Sequence, residues 1–301
     1  MSNKKCLLEF DKSGAEWVVV AYAGGDGRMI HTVESGASPH VETGHLITSV
    51  ERDLIGKEDT LLGHHSDPNI IEDIRRAEIP EIFEQATFLP RSMSCRQAGK
   101  KSNHGLNYNM KYKRFALENE MPENDARRMV QLYHQAYPGV GMYQEWVKRQ
   151  LSDDRTLYTC FGHKRTFRDG WGETLFDSAY SYIPQRTIFE LTRQGMVKVY
   201  SQEEFNDLEL LAQVHDSILT QCTWTNHMDM GHLVHTVGNV WMNPELEYSG
   251  RKFHIKTTVK VGVDWGANHM EEVLVIDDIE KMAGQLEQAW EKVNASVQQA
   301  A

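Results

Sequence analysis

Long apolar runs are missing from this sequence of 301 residues. No stretch approaches the roughly 18 to 20 apolar residues that a membrane-spanning helix needs, which excludes a transmembrane protein and argues against a membrane partner. The opening segment carries two lysines but only a short apolar stretch, which Glu9 and Asp11 interrupt, so no signal peptide is recognisable.

Cysteines are few and widely separated. The four cysteines form no pair with two residues between them, which argues against a zinc ribbon and against a disulfide framework. This use of cysteine fits a reducing compartment, and we expect the protein to be cytoplasmic.

An excess of positive charge is also missing. The chain carries 43 acidic and 32 basic side chains and a formal net charge of −11, whereas proteins that bind nucleic acid are usually basic. The charge is unevenly distributed, however, because residues 91–114 contain seven basic side chains and no acidic one. These seven are Arg91, Arg96, Lys100, Lys101, Lys111, Lys113 and Arg114. The local reversal of sign favours a phosphate-bearing partner for this segment.

Four side chains in the basic segment recur at every fourth position: Arg96, Lys100, His104 and Tyr108. Because steps of four residues advance only about 40° around a helix, these side chains lie along one slowly turning stripe. An arginine fork and a lysine charge one turn apart suit a triphosphate, and the rings beyond them can stack on a base or a sugar. The alternative is an ordinary solvated basic face.

Two aspartates lie at the ends of apolar segments that are typical of strands. Asp11 follows the residues CLLEF, and Asp216 follows AQVH and precedes SILTQC. A carboxylate in such a segment is costly unless it is paired or metal-bound, although a turn or a salt bridge would account for either residue alone. Together the two aspartates would provide oxygen ligands of the kind that Mg²⁺ prefers.

Hydrophobic periodicity predicts segregated strands and long helices, and therefore an α+β fold. We expect Pro184 to start a helix, and residues 208–222 to form a helix end, a turn and a strand. Residues 252–266 alternate like a half-buried strand, and residues 276–301 have apolar side chains at helical spacing.

These features together resemble family A DNA polymerases, the group that includes bacterial DNA polymerase I. The stripe has the spacing of their fingers helix, in which Arg, Lys, an aromatic residue and Tyr-Gly follow one another at intervals of four. DKSGAE at residues 11–16 resembles the first palm motif, Asp-x-Ser-Gln-x-Glu, and QVHDS at residues 213–217 resembles the third, Gln-Val-His-Asp-Glu. Further segments agree in order: AGGD, SPHVET, CFGHKR, YIPQRT and VKVGVDWG. The resemblance covers about residues 7–266.

The resemblance implies a palm, built from an antiparallel sheet with helices, and helical fingers, with the thumb and the exonuclease absent. The palm would comprise residues 1–45 and 196–275, the fingers residues 46–195, and a C-terminal amphipathic helix residues 276–301. The implied activity is template-directed DNA synthesis by a nucleotidyltransferase, with primer–template DNA and dNTPs as partners and two Mg²⁺ ions as cofactors.

The resemblance also implies roles for single residues. Asp11, Asp216 and the backbone carbonyl of Lys12 would ligate the metal ions, and Lys100 would protonate the leaving pyrophosphate. The residues implied to bind the nucleotide are Arg96, Lys100, His104 and His40, with Glu16 and Tyr108 as a gate against a ribose 2′-hydroxyl. The residues implied to contact DNA are Gln185, Gln213, His215, Lys164 and Arg165.

Several departures from the family's pattern bear on the implied function. His104 stands where the family has Phe or Tyr, which leaves open the discrimination against sugars that lack a 3′-hydroxyl. Asn109 stands in place of a glycine, Arg186 in place of a small residue and Ser217 in place of an acidic residue. For Ser217 we expect altered metal affinity rather than loss of activity.

In the family, a thumb precedes the first catalytic aspartate, and ten residues before Asp11 cannot hold it. We interpret the chain as one half of a split, phage-type polymerase whose second polypeptide carries the thumb and the 3′–5′ exonuclease, located in the host cytoplasm if it is phage-encoded. A fragment or a degenerate remnant is the alternative. The apolar stripe of residues 276–301 would either dock the partner chain or pack on the chain's own palm.

Two other functions fit part of the pattern. A single-subunit RNA polymerase of the phage and mitochondrial type shares the fold and the spacing of the basic helix, but lacks a sugar-gating acid at the position of Glu16. A non-catalytic DNA-binding or assembly subunit is the second alternative. Primer extension with dNTPs or with NTPs distinguishes the polymerases, and an Asp11→Ala variant distinguishes the assembly subunit.

Overall fold

The computed structural model describes residues 5–63, 65, 67–266 and 269–300. Its helices are α1 (Ala15–Gly24), α2 (Gly27–Glu34), α3 (Pro39–Thr48), α4 (Arg52–Leu62), α5 (Pro68–Glu78), α6 (Pro80–Gln85), α7 (Cys95–Leu106), α8 (Tyr112–Glu118), α9 (Glu123–Ala136), α10 (Pro138–Asp153), α11 (Glu173–Ser201), α12 (His227–His235) and α13 (Ile279–Ala300), with a π-helical segment at Thr236–Trp241. Its strands are β1 (Lys5–Lys12), β2 (Thr156–Tyr158), β3 (Lys164–Thr166), β4 (Glu209–Val214), β5 (Ser217–Thr223), β6 (Leu246–Tyr248), β7 (Arg251–Phe253), β8 (Thr257–Gly262) and β9 (Met270–Leu274). Within these ranges no helix combines the length and apolar character that crossing a bilayer requires.

The chain divides into two compact units. One contains the described residues up to Ala15 and from Gln185 onward, and the other contains Glu16–Pro184. An antiparallel sheet with the strand order β4-β5-β1-β8-β9 organises the first unit, and β1 lies at its centre. This sheet together with the helices confirms the predicted α+β fold.

Buried and partly exposed side chains alternate along the central strand β1, so one face of the strand lies in the core and the other is polar. Cys6, Leu8 and Phe10 are at most 1 % exposed and belong to the core of the first unit. Because successive side chains of a strand point to opposite faces, Glu9 and Asp11 lie together on the other face. The strand therefore carries two carboxylates on one side and the hydrophobic core on the other.

The C-terminal helix α13 completes the core of the first unit. Met282, Leu286, Trp290 and Val293 are buried in that core, and the ring of Trp290 stacks on Trp224 with centroids 4.8 Å apart. The apolar stripe of the tail thus packs on the chain's own sheet. Its interpretation as a docking surface for a partner chain is wrong, because these side chains are already covered.

Two of the predicted element boundaries are wrong. Pro184 lies inside α11 rather than at the start of a helix, because helix-compatible residues precede it and one missing backbone hydrogen bond does not end the helix. Residues 209–214 form the edge strand β4 instead of a helix end. Antiparallel pairing with β5 outweighs the helix propensity of the segment Glu-Leu-Leu-Ala.

Helices dominate the second unit, in which α3 and α7 cross at very short distance. A Cβ atom on Gly99 would lie 2.1 Å from the carbonyl oxygen of His40, and one on Gly44 would lie 2.6 Å from that of Cys95. Glycine is therefore required at both crossing points, since any side chain would meet backbone. The close crossing places His40 of α3 beside the basic helix α7.

Candidate active site

The two predicted catalytic aspartates lie at the same edge of the first unit's sheet. Asp11 is the penultimate residue of β1, and Asp216 lies in the two-residue turn that joins β4 to β5. The register pairs Phe10 with Ile218, which brings the end of β1 alongside this turn. The hydroxyl of Thr192 donates to the carbonyl oxygen of Asp216 at 3.2 Å and fixes the turn to α11.

The surroundings of Asp11 disfavour its ionised form, which a bound cation would stabilise. Burial, and secondly the negative charge of Asp216, raise the pKa of Asp11 to about 6. Among the residues that the structure describes, no cluster of three or more His, Cys, Asp or Glu side chains is placed to hold a metal ion. Two carboxylates are what Mg²⁺ commonly takes from a protein when substrate phosphates and water supply its other ligands. The donor set therefore fits Mg²⁺.

Lys12 contributes an unexpected structural feature beside Asp11. Its side chain is buried, and the ammonium donates to the carbonyl oxygen of Ile255 at 3.0 Å and to Oγ1 of Thr257 at 2.9 Å. Burial lowers the pKa of Lys12 to about 7, and the negative charge of Asp11 opposes that shift. The side chain ties the end of β1 to β8, and the metal-ligand role of its carbonyl stays a prediction.

Glu9 is a residue of this site that sequence reasoning missed. Its Oε1 accepts from the hydroxyl of Ser217 at 3.2 Å, and its Oε2 lies 3.4 Å from Nζ of Lys260. The negative charge of Glu9 also raises the pKa of Asp11, as the last and smallest of the causes. A period of two along β1 would have shown that Glu9 shares a face with Asp11. Ser217, which replaces an acidic residue of the family's pattern, thus bonds to an acidic residue elsewhere.

The basic stripe of the second unit is built largely on α7. Ser94 caps the helix by accepting from the backbone N–H of Gln97 at 3.0 Å, and Arg96, Lys100 and His104 follow along it. The helix ends before Tyr108, which occupies the turn that follows. Three of the four residues of the predicted stripe therefore lie on one helix, and Tyr108 lies in the turn after it.

The two residues of the predicted sugar gate, Glu16 and Tyr108, are hydrogen-bonded to each other within the second unit. The hydroxyl of Tyr108 donates a short hydrogen bond to Oε2 of Glu16, and Nδ1 of His104 lies 4.0 Å from the same oxygen. Burial and the carboxylate of Glu16 raise the pKa of Tyr108 well above its usual value, so the phenol stays a neutral donor. Asn109 has a φ of +67°, the left-handed conformation that glycine adopts freely and asparagine tolerates.

His40 lies at the basic end of the stripe as a partly buried, neutral ring. Burial, and then the positive charges of Arg96 and Lys100, lower the pKa of His40 to about 4. Nε of Arg96 lies 3.5 Å from Oδ2 of Asp59, on α4. The structure thus groups the three residues that sequence reasoning assigned to a triphosphate, and adds Asp59 beside them.

The predicted DNA contacts occupy exposed positions on several elements. Gln185 is exposed on α11, and Gln213 and His215 are exposed at the hairpin of Asp216, where His215 has a φ of +53°. Lys164 and Arg165 are exposed on β3. The structure gives these residues access to solvent, and their contacts with DNA stay predictions.

A buried ion pair supports the start of α7 and had no signal in the sequence. Glu58 and Arg75 are joined by a bond of 2.8 Å between Nε and Oε1, and both are buried. The second oxygen of Glu58 accepts from the backbone N–H of Cys95 at 2.8 Å, and Arg75 donates to the carbonyl oxygen of Met93 at 2.6 Å. The pair thereby fixes the residues just before Arg96.

Comparisons with known proteins place the chain among polymerases. Residues 69–269 match the model of DNA polymerase family A. The thermostable DNA polymerase I of Thermus aquaticus is 24 % identical over 224 residues, which cover 71 % of this chain and 22 % of that protein. DNA polymerase I of Lactococcus lactis is 22 % identical over 227 residues, covering 72 % of this chain and 22 % of that protein. The chain thus spans about a fifth of the length of these relatives.

A solved structure shows the same fold. The POL domain of Pol1 from M. smegmatis, in complex with DNA primer-template and dNTP, superposes with a TM-score of 0.65 at 19 % identity, covering 89 % of this chain and 41 % of that one. With a family model matched over most of its length, the chain belongs to DNA polymerase family A.

Proposed function

We propose that this chain is the catalytic palm and fingers part of a DNA-directed DNA polymerase that adds dNTPs to a primer on a template. The observation that carries the proposal is the pair of electrostatically coupled carboxylates, Asp11 and Asp216, at one sheet edge in a member of family A. The M. smegmatis structure, which holds a primer-template and dNTP, supports the same partners for this chain.

In this proposal Asp11, Asp216 and the carbonyl of Lys12 hold two Mg²⁺ ions. When bound there, the ions would lower the pKa of the primer 3′-hydroxyl and would neutralise the charge of the leaving pyrophosphate. The protein's own part is to hold the two carboxylates at one sheet edge, which β1 and the turn of Asp216 do through their backbone pairing. Glu9, bonded to Ser217 and beside Lys260, adds negative charge to the same face.

The basic stripe binds the incoming nucleotide in this proposal. Arg96 and Lys100 contact the triphosphate with His40. As the primer 3′-oxygen bonds to the α-phosphorus and the anhydride bond between the α- and β-phosphates breaks, the ammonium of Lys100 gives a proton to the leaving pyrophosphate oxygen. Glu16 and Tyr108, which are hydrogen-bonded to each other, contact the 2′ position of the sugar and leave no room for a hydroxyl there. The proposed DNA contacts are Gln185 at the nascent pair, Gln213 and His215 at the primer end, and Lys164 and Arg165 on the backbone.

The proposal includes a second polypeptide that carries the thumb and the 3′–5′ exonuclease. Adding the polypeptide that co-purifies with the native protein should lengthen the products of each binding event and introduce exonuclease activity.

Primer extension tests the proposed activity. The purified full chain, alone and with the co-purifying polypeptide, is given a labelled primer on four templates that differ in the next base, with Mg²⁺ and each dNTP or NTP in turn. The proposal requires Mg²⁺-dependent addition of the complementary dNTP. Addition of NTPs in preference would instead indicate an RNA polymerase, and an absence of any addition with both polypeptides present would contradict a catalytic role.

Removing the carboxylate of Glu16 is predicted to relax sugar selectivity. In Glu16→Ala the bond from Tyr108 is lost and the crowded surface opens, so the ratio of NTP to dNTP incorporation should rise roughly tenfold to a hundredfold. Single-nucleotide incorporation kinetics with matched dNTP and NTP pairs measure the ratio. Glu34→Ala, which alters an exposed glutamate at the end of α2, is the control and should leave the ratio unchanged. An unchanged ratio in Glu16→Ala would remove the gate from the proposal.

A further inference from the structure

Asn103 is a buried amide on α7 that faces α3 and joins two polar groups there. It is 2 % exposed. Its Nδ2 lies 3.1 Å from the carbonyl oxygen of Pro39 and 3.2 Å from Nδ1 of His40, and its Oδ1 accepts from the hydroxyl of Thr43 at 2.8 Å. A buried amide with this many partners has its orientation fixed by them.

The partners determine which end of the amide faces His40. The carbonyl oxygen of Pro39 can only accept, so the amide atom beside it must be the nitrogen. The reverse orientation would place two acceptors against each other at Pro39. The amide oxygen is left for Thr43, whose hydroxyl in turn lies 3.0 Å from the hydroxyl of Tyr137. Since the single hydrogen of the Thr43 hydroxyl is donated to Asn103, the hydroxyl of Tyr137 must donate to Thr43.

This orientation also determines the tautomer of His40. Both hydrogens of the Asn103 nitrogen are donated, one to Pro39 and one to Nδ1 of His40. Nδ1 must then be the acceptor of the imidazole, and the ring proton of the neutral form lies on Nε2. The ring is neutral near pH 7 because burial and its cationic neighbours Arg96 and Lys100 disfavour the charged form.

We infer that Asn103 is a positioning residue that holds His40 as the Nε2–H tautomer, so that the ring presents an N–H donor to the nucleotide triphosphate beside Arg96 and Lys100. The inference rests on the proposed function, which assigns His40 to the triphosphate. In the other tautomer, Nε2 would carry a lone pair and would repel phosphate oxygens. A neutral ring that is fixed as the Nε2–H tautomer always offers a donor to the phosphate oxygens. A ring that exchanges between its two tautomers would offer that donor only part of the time.

Nitrogen NMR tests the inference without any nucleotide. In protein labelled with ¹⁵N-histidine at pH 7.5, the His40 ring, assigned by comparison with His40→Gln, should show an unprotonated Nδ1 and a protonated Nε2. In Asn103→Asp, whose carboxylate can only accept, the pattern should invert, with Nδ1 protonated and Nε2 unprotonated. Thr43→Val leaves both donated hydrogens of Asn103 in place and should keep the wild-type pattern. A protonated Nδ1 in the unaltered protein would overturn the inference.

Affinity for dATP, measured by calorimetry with Mg²⁺, tests the link to the nucleotide. Asn103→Asp should weaken binding roughly tenfold to a hundredfold, as for loss of a hydrogen bond to a charged group. In a His40→Ala background the same change should have little further effect, whereas a merely structural role would weaken binding equally in both backgrounds and would overturn the inference. If the unaltered chain binds no dATP, the proposed function fails, and the tautomer result still separates that failure from an error about Asn103.

Discussion

Asp11→Asn is expected to lower the rate of nucleotide addition by roughly a thousandfold, since metal-ion stabilisation of the developing charge is worth several kcal/mol and each 1.4 kcal/mol is about tenfold. Asparagine has the shape of aspartate but removes one anionic ligand. It also leaves Asp216 as the lone carboxylate of the pair. Single-turnover primer extension at saturating dNTP and Mg²⁺ measures the effect on the chemical step.

The same substitution should make the metal-free protein more stable, which separates lost function from lost structure. Ionised Asp11 is partly buried and is repelled by Asp216, and the neutral amide of the variant carries neither penalty. The folded-state pKa of Asp11, about 6, is above the ordinary 3.8, so the folded protein binds this proton more readily than the unfolded chain. The stability advantage of Asp11→Asn should thus be full above pH 6 and should vanish as the pH falls through 6 toward 4.

Thermal unfolding in EDTA across this pH range measures that advantage. Asp277→Asn, which changes an exposed aspartate of the same unit, is the matched control and should alter neither rate nor stability profile. An Asp11→Asn protein that extends primers at the normal rate would show that the active carboxylates lie elsewhere, and would favour the non-catalytic subunit. A variant that is both inactive and less stable would contradict the electrostatic argument for this pair.

The local sequence pattern was sufficient to predict those features that depend on residues close together along the chain. Asp11 and Asp216 were predicted as site residues because a charge at the end of an apolar strand is unusual, and Arg96 and Lys100 because helical spacing groups them. The α+β fold followed from the same periodicity. These features depend on neighbours within a few residues, which a single sequence displays directly.

The parts that were missed depend on contacts between distant segments. Asn103 has no visible role until α3 and α7 cross, and that crossing needs the absence of a side chain at Gly99. Pro184 and the segment of β4 were misassigned because local propensity was outweighed by helix continuation and strand pairing. Neither the partner of a buried polar group nor the edge of a sheet is encoded in hydrophobic periodicity.

Glu58→Ala is expected to cost about 3–5 kcal/mol of unfolding free energy, because removing one member of a buried ion pair leaves the other charge uncompensated. Arg75 would remain with only 8 % of its side chain exposed. Urea denaturation measures the loss, which is a large part of the roughly 5–15 kcal/mol of a typical domain. Glu118→Ala breaks the exposed pair with Arg114, whose attraction is screened by solvent, and should cost far less. An equal loss of unfolding free energy in the two variants would show that the buried pair contributes no more to stability than the exposed pair.

The double variant Glu58→Leu/Arg75→Leu distinguishes charge pairing from support of the basic helix. Leucines remove the lone buried charge, so the double variant should be more stable than Glu58→Leu alone. It should not regain full stability, because the N–H of Cys95 and the carbonyl of Met93 lose their partners at the start of α7. Loosening of that first turn displaces Arg96, so dATP affinity should fall even where the protein is folded. Full recovery of stability and affinity would mean that the ion pair serves packing alone and that α7 holds its own start.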